Sequence, residues 1–317
     1  MRPASLPAFD ELTETQRGVV SRQQAIACGL TPDAIDWLIT SGRWQSVRRG
    51  VYAAFTGDPT REAVLWAALH RAGTGAVLSH QTAAELFKIT DKQSSLVHVT
   101  IPTSRHVVGC DGMVVHRSAR LAEARHPSLL PPRTRIDETV LDLVAQAATF
   151  DAAFTTACAA CQRRLTTAGR LADAMKVRKK LRWRNHLVTA LAEIDAGVHS
   201  LLEYKYVLDV ERPHGLPQAV RQARITSGGR TSFLDNLYDE YGLCVELDGK
   251  EAHPDDQRWL DIRRPNAAAA SGITTLRYGW TDIDRRPCGT AGQVAAGLQA
   301  RGWPGTPCRC GVACRIS

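Results

Sequence analysis

The stretch TSFLDNLYDEYGLCVELDGKEAH, residues 231–253, carries the side chains best suited to chemistry. Glu246 and Asp248 flank one leucine in VELDG, so on a strand both leave the same face. Asp235 lies on the preceding apolar run, where a neighbouring strand would bring it alongside. Carboxylates held together repel, which raises a pKa unless a cation neutralises them. Mg²⁺ does so with oxygen ligands, taking one or two carboxylates together with waters and phosphate oxygens. Such an ion activates water and stabilises a leaving oxygen, which is metal-assisted phosphodiester hydrolysis. Asp235, Glu246 and Asp248 are therefore the expected ligands of Mg²⁺ or Mn²⁺. The plainer alternative is that Asp248-Gly249 is only a turn.

These acids need a sheet to hold them. HSLLEYKYVLDVERP opens with a helix, and Ser200-x-x-Glu203 fits a capping box. QAVRQARI alternates as a strand, and Gln222 on it reads as an edge-strand side chain. GGR at 228–230 is a hairpin turn. TSFLDNLYDEYGLCVELDG gives two strands joined near 240–242, QRWLDIRRPNAAAASG a helix, ITTLRYGW a strand and AGQVAAGLQARG the last helix. The order α-β-β-β-α-β-α makes a mixed sheet flanked by helices.

Two further regions precede it. SRQQAIACGL reads as a short helix, and TPDAIDWLITSGRW as a second, capped by Thr31 with Pro32 in its first turn. WQSVRRGVYAAF then alternates as a strand pair turned at Arg49-Gly50. Helix, turn, helix and wing is the order of a winged helix-turn-helix. Arg43, Arg48 and Arg49 would meet phosphates, although the second helix exposes Asp33 and Asp36. The middle region alternates helices with the strands LVHVTIP and MVVHRS, and is read as a small α/β domain without chemistry of its own. His80, His98, His106 and His116 match no metal-ligand spacing and are expected to be surface or packed side chains. A basic linker, KVRKKLRWR, follows. Its Lys176, Arg178, Lys179, Lys180, Arg182 and Arg184 are either a solvated face or backbone-phosphate contacts.

The bulk numbers agree with a nucleic-acid partner. The 317 residues carry a net charge of +8, which favours association with a polyanion. No run approaches the roughly 18 apolar residues that span a bilayer, and the N-terminus lacks a signal-peptide core, so a cytoplasmic location is expected. Nine cysteines, an odd number without framework spacing, suit a reducing compartment. CRCGVAC groups Cys308, Cys310 and Cys314, with Cys288 upstream, but Cys308 and Cys310 are only two apart, closer than a usual C-x₂₋₄-C pair. A loose tail is expected there, and no structural zinc.

An acid on one strand followed, on the next, by acid-x-catalytic residue resembles the PD-(D/E)xK nuclease fold. Residues 198–302 as a whole resemble the very-short-patch-repair-endonuclease-like family of small bacterial proteins. The resemblance implies Asp235 as central metal ligand, Glu246 as second carboxylate and Glu203 as the family's acidic helix residue. It also implies His253 as general acid or base, and Arg277 as a phosphate contact from its strand. Asp248 stands where many nucleases of this fold carry lysine, and Lys250 follows two residues later. GRWQSVRRGVY, LSHQTAAEL and LVHVTIP resemble the AbiEi-type antitoxin architecture.

The expected organisation is α/β (α+β). A winged helix-turn-helix spans 1–57, an AbiEi-like α/β domain 58–165 and a basic helical linker 166–197, followed by a restriction-endonuclease-like domain at 198–302 and a cysteine-containing tail at 303–317. The first functional reading is a Mg²⁺-dependent DNA endonuclease. The alternative is a non-catalytic DNA-binding antitoxin with a degenerate nuclease fold, for which a cognate toxin would be a second partner.

Overall fold

The computed structural model describes residues 7–227, 230–249, 272–314 and 316. It is a mixed α/β chain with three sheets among the described residues. By internal contacts it divides into two compact units: one takes the chain up to Ala147 together with 177–182, the other 148–176 and 183 onward.

The first unit begins with α1 (Pro7–Thr15), β1 (Val19–Ser21), α2 (Arg22–Ala27), α3 (Pro32–Thr40), β2 (Gln45–Arg48) and β3 (Val51–Ala53). Ser21 and Gln24 close α2 with a reciprocal capping box, and the Thr31 hydroxyl accepts from the Ala34 amide at the start of α3. The helices pack Ala25, Ile35 and Leu38 against Trp44 and Tyr52, and Phe9 stacks on Trp44. The wing β2–β3 turns at Gly50, whose φ of 72° favours glycine. A strand not expected from the sequence, β1, pairs antiparallel with β3 in the order β1-β3-β2. Three residues are too few to show an alternation.

The same unit continues through α4 (Arg61–Ala72), β4 (Val77–Leu78), α5 (His80–Leu86), β5 (Val97–Pro102), β6 (Met113–Ser118), α6 (Leu121–Ala124) and α7 (Ile136–Gln146). LVHVTIP and MVVHRS pair as parallel strands, and β4 adds antiparallel to β5. Val19 and Val51 share a core with Leu65, Trp66, Val97 and Val99. No compact-unit break therefore falls near residue 57.

The second unit holds α8 (Phe150–Gln162), α9 (Ala168–Lys176), α10 (Arg184–Asp195) and α11 (Leu201–Lys205), which runs into a wider turn over Tyr206–Glu211. β7 (Val220–Ser227), β8 (Arg230–Tyr238), β9 (Leu243–Asp248), β10 (Thr274–Gly279) and α12 (Pro287–Gln299) follow. The sheet order is β10-β9-β8-β7, antiparallel from β7 to β9 and parallel between β9 and β10. One face packs Leu202, Tyr206 and Val210 with Val294 and Leu298 of α12 against Leu243 and Val245. Cys314 and Ile316 are buried in that core with Trp303 packed beside them, so the tail is not loose. The helix expected between 257 and 272 falls outside the described residues.

Candidate functional site

β8 and β9 bring the predicted acids together. Asn236 pairs with Val245 and Leu237 with Cys244, so one step further along the ladder Asp235 stands opposite Glu246. Like charges directly opposed across strands are unfavourable. Burial first, and then Asp235, pushes the Glu246 carboxyl above its ordinary range, while Arg277 works against the rise. Arg277 is paired in register with Glu246 from β10. Asp235 turns one oxygen onto the Leu247 amide at 2.9 Å and presents the other to Gln222 Nε2 at 3.4 Å.

Glu203 joins this group from α11. Its carboxylate accepts from the His199 amide at 2.9 Å and the Ser200 hydroxyl at 3.0 Å, and the Ser200 oxygen accepts from the Glu203 amide. Only half of the expected capping box is present, because the Glu203 carboxylate takes the His199 amide and the Ser200 hydroxyl in place of the Ser200 amide, and the carboxyl is also buried beside the site. Burial and then Asp235 raise its pKa, while the His199 amide, Ser200 and Gln222 hold it down. Gln222 therefore touches both Glu203 and Asp235.

Asp248 does not join them. Two strand residues advance the chain by roughly 6.6 Å, which carries Asp248 past the opposed pair to the exposed end of β9. Among the described residues, Asp235, Glu246 and Asp248 do not form a group whose oxygens all lie within 4.8 Å of one another. The expected three-carboxylate metal cluster is therefore not gathered; the opposed pair is Asp235 and Glu246. His253 and Lys250 lie outside the described residues.

In the sequence Gln222 reads as an edge-strand side chain. Counting back from the Ser227–Arg230 pair would have found it, because that register sets residue 222 opposite 235. Its φ of 47° is a left-handed backbone inside a strand. Strain of this kind collects at ligand-binding positions.

The cations divide into committed and exposed. The Arg178 guanidinium is half-buried against Glu138 and Asp142, at 2.8 Å from the latter, which takes it out of the phosphate-contact set. Arg48 donates to the Asp111 carbonyl at 3.0 Å, so it too is tied to its own unit. Lys176 is exposed in a surface pair with Asp173, and Arg184 donates to the Met175 carbonyl. Arg43, Arg49, Lys179, Lys180, Arg182 and Arg277 are exposed. Arg43 lies over the Trp37 ring at 4.7 Å, and Arg22 neutralises Asp36 on α3 at 2.7 Å.

The histidines have no ligand spacing in sequence, but folding gathers three of them. His80 and His116 stack at 3.7 Å between centroids, and His98 Nδ1 meets His116 Nε2 at 3.0 Å. Burial pushes His80 down to about 3 and His116 to about 4, so both rings are neutral at pH 7. They are packed side chains, as the sequence allowed; His106 is exposed. His80 and His116 line a cavity of about 690 Å³ with Arg117, Arg120, Lys179 and Lys180. The signal for this cluster is tertiary: the β5–β6 register pairs His116 with Thr100, which shares a strand face with His98.

Residues 9–54 match a family model described as the transcriptional regulator AbiEi antitoxin. That segment is the winged helix. No curated protein matches the chain. Among solved structures, the chain is similar to the RV2827C protein from Mycobacterium tuberculosis, at 18% identity and a TM-score of 0.38, over 59% of this chain and 77% of that one. No helix among the described residues is long and apolar enough to cross a membrane.

Proposed function

We propose that this chain is a DNA-binding transcriptional regulator of the antitoxin type, acting in the cytoplasm. The observation that carries this reading is the match of residues 9–54 to the AbiEi antitoxin model, on a helix-turn-helix with a cationic wing. The wing and the end of α3 offer Arg43 and Arg49 to phosphates, while Arg22 offsets Asp36, one of the two acids on the helix that would enter the groove. A cognate toxin would be the second partner of such a regulator.

The test is duplex binding across a salt series. Each phosphate contact contributes a slope of about −0.9 in log K against log salt. Arg43→Ala and Arg49→Ala are each expected to flatten the slope by about that amount and to weaken binding on all sequences alike. Affinity that is indifferent to salt would sink the reading.

A second reading, metal-dependent phosphodiester hydrolysis in the second unit, is favoured by one observation: Asp235 opposed to Glu246, with Glu203 and Gln222 at hand. Two hard carboxylates, one of them with its pKa raised by burial and then by repulsion, fit a divalent ion such as Mg²⁺. Asp235 and Glu246 would hold the ion, which would supply Lewis-acid activation of water. Gln222 would orient Asp235, Arg277 would meet the phosphate, and His253 would serve as acid or base. The chain would then be a regulator that also cuts, in the manner of the very-short-patch-repair-like nucleases. Incubating supercoiled plasmid with the protein and Mg²⁺ or Mn²⁺ tests this. Metal-dependent nicking is expected to fall on the order of 100-fold or more in Asp235→Asn and in Glu246→Gln. If wild type and variants bind DNA equally and none nicks it, the acids are remnants.

A further inference from the structure

His214 is fully buried just beyond the wide turn that follows α11. Its Nδ1 lies 2.8 Å from the Val210 carbonyl. A carbonyl only accepts, so Nδ1 carries the ring proton and Nε2 presents a bare lone pair. That Nε2 is buried and has no hydrogen-bond partner. Buried polar atoms are rarely left in this state without a missing ligand.

What faces Nε2 is sulfur. The His214 nitrogen and the thiols of Cys288, Cys310 and Cys314 all lie within 4.8 Å of one another. The Cys288 and Cys310 sulfurs are 3.6 Å apart. A disulfide would hold them at about 2.05 Å. Four ligands placed tetrahedrally at about 2.3 Å from a zinc ion stand roughly 3.8 Å from each other. The 3.6 Å separation is therefore too long for a disulfide and close to the edge of a metal tetrahedron, and the 4.8 Å limit leaves room for the other ligands to reach the same ion.

We propose that His214, Cys288, Cys310 and Cys314 bind a structural zinc ion in a Cys₃His site. Thiolate and imidazole donors select zinc over the hard ions expected at the carboxylates. Four protein ligands leave no open position, which marks a structural site and not a catalytic one. The Val210 carbonyl is the outer partner that fixes the imidazole tautomer. The site shares no residue with Asp235 and Glu246 and does not depend on the function assigned to them.

Cys310-x₃-Cys314 has zinc-ligand spacing, and the other two ligands are brought to it by the fold. Cys310 and Cys314 come from the tail, Cys288 from the first turn of α12, and His214 from far upstream. Cys308 is not a ligand. Its amide donates to the His214 carbonyl at 2.7 Å, which ties the tail down while the residue itself stays exposed.

The experiment is metal analysis of the full chain purified under reducing conditions without added chelator. About one zinc per chain is expected, as four-ligand sites hold it. His214→Ala and Cys310→Ser are expected to lose it, and Cys308→Ser to keep it. Should the ligand variants fail to fold, the wild-type protein still decides. Cobalt substitution is expected to give the thiolate charge-transfer and visible bands of a tetrahedral site. Folded, reduced wild-type protein that holds neither zinc nor cobalt overturns the proposal. So does a Cys288–Cys310 disulfide in freshly isolated protein, or a Cys308→Ser variant that loses zinc as fully as Cys310→Ser.

Discussion

Arg221→Met is expected to destabilise the second unit by about 3–5 kcal/mol, read as a lower urea midpoint at unchanged slope. Arg221 and Glu211 form an ion pair whose side chains are only 5% and 3% exposed. Arg221 also donates to the Asn236 amide oxygen, and Asn236 in turn donates to the Val245 carbonyl at 3.1 Å. Glu211 accepts from the Ala219 amide and from the Tyr238 hydroxyl, each at 3.2 Å. Removing the guanidinium would leave Glu211 charged, buried and short of its main partner. Adding Glu211→Gln should restore most of the loss, because the cost comes from the orphaned charge and not from the missing contact area. An Arg221→Met midpoint close to wild type would disprove this account. The pair also bears on function. Arg221 and Asn236 point to one face of the hairpin, while the next residues in the alternation, Gln222 and Asp235, point to the other. The Arg221–Asn236 hydrogen bond, with Arg221 held in place by Glu211, therefore supports the register of the two strands that carry Gln222 and Asp235.

The first unit should lose stability in mild acid, before most carboxylates titrate. His70, His80 and His116 are held neutral by burial, at about 4, 3 and 4. The unfolded chain binds protons on these rings below about pH 6.5, while the folded chain does not. Stability is then full above the unfolded value and falls as pH drops towards the folded ones. His80 alone would contribute a loss on the order of 3 kcal/mol by pH 4, with His116, more open to solvent, contributing less. Asp142 opposes part of this below its raised pKa, because burial favours its protonated form in the fold. Urea unfolding at a series of pH values from neutral down to about 4.5, across the range where an unfolded histidine titrates, checks the slope. A His80→Gln variant should flatten it, and a wild-type slope of zero through that interval would rule the account out.

Much of this architecture is legible in the sequence where local signals are strong. Thr31 and Pro32 announce α3, Gly50 marks the wing, and VELDG alternates as a strand beside the run that carries Asp235. What is not legible depends on register or on distant closure. The opposition of Asp235 to Glu246 is visible once the strands are paired, but the failure of Asp248 to join is a matter of a few ångströms along one strand. Gln222 needs the hairpin counted from its turn. His214 gives no local sign of the thiols it faces, because the tail and the start of α12 supply them from far along the chain. The commitment of Arg178 is equally hidden, since Glu138 and Asp142 lie on a helix that reads as an ordinary amphipathic one.

The path of the chain limits how the protein can be dissected. It leaves the first unit after Ala147, comes back for 177–182, and leaves again. The returning segment brings Arg178 to Glu138 and Asp142. A gene fragment ending at Ala147 would encode all the helices and strands of the first unit and still strip two of its acids of a shared counter-charge. Glu138 would keep Arg120 at 3.0 Å. Asp142 would keep His80, which burial holds uncharged. The smallest self-sufficient first unit is therefore not a contiguous N-terminal piece but two pieces, and recombination or truncation at its apparent end would cut through a finished electrostatic circuit.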